Sequence, residues 1–215
     1  MKEKTLYYSN KSSIVVNNRH IVMEHTYPGK YFNKKVFTFQ SFIQHLRLLL
    51  KTRKDMKRAM SFENFSKRFS ENIMLASSAV NGCIYCEWGH TRMAAEAGIS
   101  KQEIKNILSL DFKNLSENDL KAIVFTQHYA ETQGKPSQKA LKELVKHYGI
   151  KKSKEILSYI RMITMGNLLG NTISAFESRL EGKPSKESSL IFELLVFIPA
   201  GFMLRKIYKR SEKRS

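Results

Sequence analysis

The spacing of apolar residues changes character at residue 39. Before it, residues 1–37 mix polar and aromatic side chains without a sustained period. Short strands are readable there at 13–16 and 35–39, with a turn at Tyr27-Pro28-Gly29, but the pattern predicts no sheet. From Phe39 onward the period is helical. Phe42, Leu46, Leu49 and Leu50 recur at helical spacing among Arg47, Lys51, Arg53 and Lys54. Phe62, Phe65, Phe69, Ile73, Ala76 and Val80 then mark the inner stripe of a second helix. Asn81-Gly82 breaks it, and Cys83 opens a third helix that runs to Gly98.

Further on, Ser100-Lys-Gln-Glu103 reads as a capping box and Ser116-Glu-Asn-Asp119 as another helix start. Gly134-Lys-Pro136 separates that helix from one carrying Leu141, Leu144 and Tyr148. A long apolar helix follows over 152–180 and stops at Gly182-Lys-Pro184. About seven helices joined by short polar connections predict an all-α bundle. The expected division is a basic N-terminal extension over 1–60, a helical domain over 61–184 and a C-terminal tail over 185–215.

The tail differs in kind. Residues 190–204 are apolar except for Glu193, and Arg205, Lys206, Lys209 and Arg210 follow. The uncharged run 194–204 falls short of the roughly 20 residues that a membrane crossing needs, and Pro199 and Gly201 interrupt it. Three fates are open to it: burial against a partner subunit, anchorage at a membrane interface, or a marginal span.

Charge sharpens this division. The chain of 215 residues carries a net charge of +18. Residues 1–60 hold 13 Lys/Arg against 3 Asp/Glu, whereas 61–189 hold 18 against 14 and 190–215 hold 6 against 2. The excess therefore sits at the ends, which suits an anionic surface, either membrane or nucleic acid, or reflects a Lys- and Asn-rich compositional bias. Basic runs interleaved with aromatics are too sparse to predict nucleic-acid binding. Only two cysteines are present and Ile14-Val15-Val16 is the one apolar run near the start, so neither a disulfide framework nor a secretory leader is expected. The expected location is the cytoplasm, peripheral to the inner face of the membrane where the tail engages it. In that compartment a cysteine pair implies chemistry or metal rather than a structural bridge.

The candidate chemistry lies in Asn81-Gly-Cys-Ile-Tyr-Cys-Glu-Trp-Gly-His90. At ~100° per residue Cys83, Cys86 and His90 fall at about 0°, −60° and −20°, on one helix face. Both thiols sit in the first turn, where unpaired N–H groups favour thiolate. His90, one turn beyond Cys86, can exchange a proton with it directly or through water. A redox dithiol needs those three parts: a sulfur that attacks, a sulfur that displaces and a base. Cytochrome c attachment would require His where Glu87 stands, and a thioredoxin site would require a βαβ setting. Zinc on Cys83, Cys86 and His90 would lack an identified fourth ligand. Which cysteine attacks is open, and helix-terminus electrostatics slightly favour Cys83 as the more acidic thiol.

Glu71 followed by Cys83-x-x-Cys86-x-x-x-His90 resembles the alkylhydroperoxidase (AhpD) branch of the carboxymuconolactone decarboxylase family, over roughly 65–180. The resemblance implies an all-helical, cofactor-free peroxide reductase that assembles as a trimer or hexamer, with a dimer also open. It implies that Cys86 attacks the peroxide, Cys83 resolves, His90 relays protons and Glu71 orients His90. It also implies that an external dithiol or thioredoxin-like protein restores the thiols. Tyr85 departs from the pattern, since the branch has a second histidine there; tyrosine does not buffer protons near neutral pH, which leaves disulfide oxidoreductase activity by dithiol–disulfide exchange open beside peroxide reduction. The alternatives are a cofactor-free lyase of the wider family, or a non-catalytic membrane-associated scaffold or zinc protein. Gly166-Asn167 and Gly170-Asn171 are read as helix-packing residues, His128 as a satisfied histidine and Trp88 as packing beside the site.

Overall fold

A computed structural model describes residues 4–9, 12–17, 20–25, 30–63, 65–113 and 115–200, with side chains described from residue 30. The chain divides into two compact units, one of residues 39–170 and one of residues 1–38 with 171–215.

The 39–170 unit is all-α. Its helices are α1 (Phe39–Lys51), α2 (Arg53–Met60), α3 (Lys67–Asn81), α4 (Ile84–Glu96), α5 (Lys101–Leu108) and α6 (Glu117–Glu131). The first part of α7 (Gln138–Leu180) completes it. Sequence punctuation sets most boundaries. The Ser66, Ser100 and Ser116 hydroxyls accept the N–H groups of Phe69, Glu103 and Asp119, satisfying donors that the first helical turn leaves unpaired. The Ser100 box is only half formed, because the Glu103 carboxylate pairs with Arg68 instead of turning back. Gly149, at φ 73° and ψ 165°, kinks α7 where the pattern predicted a break before residue 152. The kink brings Lys152 over Phe65, Phe69 and Tyr148, with its ammonium 5.4–5.8 Å from the three ring centroids. Burial pushes the Tyr148 phenol up to about 12, so this cage meets the lysine as neutral aromatic faces.

α3 is the central helix and packs against α4, α5 and α6. Its Phe69, Ile73 and Met74 join Phe125, Ile156 and Ile160 in one core cluster. Leu75 and Ala76 face a second cluster with Ile104, Ile107 and Ile123. With both faces buried, α3 positions everything attached to it rigidly. The stripe predicted to begin at Phe62 starts its helix only at Lys67, because Phe62 adopts a left-handed φ of 58°.

The other unit corrects an expectation. Residues 1–37 do contain a sheet: β1 (Lys4–Ser9), β2 (Ser12–Asn17) and β3 (His20–His25) form an antiparallel meander. Ser12 pairs with His25 and Asn17 with His20, while Lys4 pairs with Val16 across a bulge between Thr5 and Tyr7. The predicted strand at 13–16 lies inside β2, but 35–38 is irregular and Phe39 is helical. Two-residue gaps between six-residue runs favour hairpins, yet none of them carries the Asn-Gly or Asp-Gly signal that marks a tight turn. The predicted turn at 27–29 lies outside the described residues.

In this unit Phe32 forms a parallel bridge to Ser185, and Phe32, Val36 and Ala175 share a small cluster. The Thr172 hydroxyl accepts the Phe37 N–H at 3.0 Å, and the Asn171 amide donates to the Lys35 carbonyl at 3.0 Å. A final helix, α8, covers 190–200, and the tail beyond it lies outside the described residues. Among the described residues no helix is long and apolar enough to cross a membrane.

Candidate active site

Only Gly82 and Cys83 lie between α3 and α4, so the two helices meet in a tight corner. Gly82 takes φ 64°, the left-handed conformation a helix C-cap requires, and its N–H returns to the Ser78 carbonyl. The N–H of Cys83 also bonds the Ser78 carbonyl, at 3.2 Å. Cys83 is therefore the N-cap of α4, one position before the first turn where it was expected, and its sulfur accepts the Cys86 N–H at 3.3 Å. Cys83 and Cys86 are joined as a disulfide, with Cα atoms 5.3 Å apart. Cys83 is fully buried, whereas Cys86 is only partly so.

His90 stands one turn beyond Cys86 on the same face of α4. Its Nδ1 lies 2.9 Å from Oε2 of Glu71, which α3 carries back from the corner. When Nδ1–H donates to that carboxylate, Nε2 is left as the basic nitrogen. Glu71 is 5 % exposed, so its position among Met74 and Leu75 does remove it from water. The four residues singled out in sequence thus gather at one corner: the disulfide at the start of α4, and the imidazole and carboxylate beside it.

Three contributors come from α7, far away in sequence. Tyr159 is buried near Ser70 and Glu71; burial chiefly pushes its phenol pKa up, with the Ser70 hydroxyl lowering it and the Glu71 charge raising it further. Asn167, fully buried, donates to the Ser77 hydroxyl at 3.0 Å and accepts from the Ser78 hydroxyl at 3.1 Å. One turn later Gly170 presses on the cysteines: a Cβ there would come 2.6 Å from the Cys83 sulfur and 3.6 Å from the Cys86 sulfur. Nothing in the local spacing of Tyr159 marks it. Gly170 and Asn167 belonged to a motif read as packing, and they do pack, but onto the reactive pair.

The two glycines of that motif differ. A Cβ at Gly166 would meet nothing within 4 Å. Gly166→Ala is expected to be neutral or to stabilise by up to ~1 kcal/mol through helix propensity. Gly170→Ala is expected to destabilise by about 1–3 kcal/mol, because Asn167 pins α7 to α3 and the sulfur cannot yield. Denaturant melts of the two variants check this; equal effects would show that α7 has room to move.

His128 accepts the Ser137 N–H at 3.1 Å and is a satisfied histidine. Among the described residues no group of three or more His, Cys, Asp or Glu is placed to hold a metal ion. A Cβ on Gly89, next to His90 in sequence, would meet nothing within 4 Å.

No curated protein and no solved structure matches the chain. A family model does match, over residues 47–111, starting earlier than the expected 65 and ending after α5. The matched stretch runs from late α1 through the whole of α3 and α4 and is less than a third of the chain. The matching model is that of the carboxymuconolactone decarboxylase family, and the matched segment, which carries Glu71, Cys83, Cys86 and His90, is similar to that family.

Proposed function

We propose that the protein is a thiol-dependent peroxide reductase of the alkylhydroperoxidase branch, recycled by an external dithiol. The observation that carries this reading is the Cys83–Cys86 disulfide, with the more exposed sulfur on the same helix face as an imidazole paired to a buried carboxylate. The greater exposure of Cys86 supports the following order. The Cys86 thiolate attacks the terminal peroxide oxygen, the O–O bond breaks, and Cys86 becomes a sulfenic acid while the alcohol leaves with a proton. The Cys83 thiol then displaces the sulfenic oxygen as water, forming the disulfide. Nε2 of His90 takes the thiol proton and returns it to the departing oxygen. Two thiols from the reductant reopen the disulfide by exchange and leave oxidised.

Cys83 caps the helix, but its complete burial keeps peroxide away, whereas Cys86 is partly exposed; access favours Cys86 as the sulfur that meets the substrate. Tyr85 in place of a second histidine leaves His90 as the proton carrier at neutral pH.

Thiol titration tests the reading. Reduced protein should show two free thiols, and one equivalent of hydroperoxide should remove both while releasing one equivalent of alcohol. Thiols that persist would overturn it. Turnover of a cyclic lactone acid that survives thiol alkylation would place the protein with the lyases of the family instead.

A further inference from the structure

We propose that the outer face of α8, together with the basic segment that follows it, docks on an anionic lipid surface. The helix has two unlike sides. On the inner side Glu193 is fully buried, bonded by Arg179 through Nε at 2.7 Å and Nη2 at 2.9 Å. The Ser188 hydroxyl also donates to Glu193, and Phe197 lies 4.6 Å from Phe176, ring centre to ring centre. The residue that interrupts the apolar run is thus not at the surface; it clamps α8 to the end of α7.

Turning Glu193 inward leaves an outer side without charge. Leu190, Ile191, Leu195 and Ile198 are 47 %, 73 %, 63 % and 56 % exposed. At ~100° per residue they span about 140° of the helix circumference. A solvated helix face carries polar side chains; this one carries none. Immediately after it the sequence supplies Arg205, Lys206, Lys209, Arg210, Lys213 and Arg214 against Glu212 alone. An apolar stripe continued by a cationic cluster matches acyl chains lying under anionic headgroups.

Charge also weighs against a second copy of the chain as the occupant. A two-fold contact through this face would bring two such tails to one interface, where their like charges repel. The Arg179–Glu193 pair argues against insertion across the bilayer, because pulling α8 away from α7 would strip the fully buried Glu193 carboxylate of its partly exposed guanidinium partner. The contact is therefore parallel to the membrane surface, one helix side deep.

Flotation of the full-length protein with vesicles tests this independently of any thiol activity. Binding is expected to vesicles of phosphatidylcholine with phosphatidylglycerol, and not to phosphatidylcholine alone. Ile191→Gln, Leu195→Gln and Ile198→Gln combined should lower the partition coefficient by about tenfold or more. These positions are exposed, so the melting temperature should be unchanged. A second variant, Arg205→Gln with Lys206→Gln, Lys209→Gln and Arg210→Gln, should remove the preference for the anionic vesicle. The proposal fails if wild type stays with the soluble fraction, if it floats equally with both lipids, or if the triple variant floats like wild type. It fails too if light scattering shows that the triple variant dissociates an oligomer while wild type ignores vesicles.

Discussion

Cys86→Ser is expected to reduce hydroperoxide consumption to the uncatalysed background, while Cys83→Ser should still complete one attack per chain and then stall. The difference follows from access. Cys86 is the partly exposed member of the pair and Cys83 is wholly buried beneath Gly170, so only the former can meet a peroxide oxygen. Serine's hydroxyl stays protonated at neutral pH and does not replace a thiolate as nucleophile. In the Cys83→Ser protein the sulfenic acid at Cys86 has no neighbouring thiol and should persist long enough for a sulfenate-specific reagent to trap it. Rapid-mixing peroxide assays and trapping followed by mass spectrometry read both outcomes. The reverse pattern, with the first step lost in Cys83→Ser, would exchange the roles, and full activity in both variants would remove the dithiol from the chemistry.

The second large effect concerns the relay. His90→Ala is expected to lower the rate by about 10²–10⁴-fold, the usual worth of a positioned general base. Glu71→Gln should cost less, since the amide still accepts from Nδ1 while the charge that supports an imidazolium is gone. If Glu71 acts only through His90, the double variant should be no slower than His90→Ala alone. Additive losses would mean that the carboxylate has its own contact with the reacting atoms. Thermal melts of the same variants separate this from damage to α3, where Glu71 is buried.

Both expectations rest on a corner of the fold that was legible before any coordinates. Periodicity and caps work locally, within a turn or two: α5 and α6 begin after Ser100 and Ser116, α3 ends at Gly82 and α4 stops before Gly98 as the sequence marks, whereas the start of α3 is displaced from Phe62 to Lys67. Cys83, Cys86 and His90 share a helix face because spacing on one helix is arithmetic. Glu71 reaches His90 because the two-residue corner folds α4 back against α3, and a hairpin of helices is still a short-range event.

What only the tertiary structure decided lies where partners are distant in sequence. The meander β1–β2–β3 depends on cross-strand pairing, which leaves a weak trace when runs are short and mixed. Gly170 meets the cysteine sulfurs across 87 positions of chain, and Tyr159 sits near Glu71 across 88. No window of local periodicity can hold such pairs, because their contact is set by how α7 docks. Glu193 is the sharpest case. An acid within an apolar run reads as a surface residue, since a charge alone cannot be buried. Arg179, one helix earlier, supplies the countercharge that lets it turn inward, and that choice leaves the other side of α8 wholly apolar.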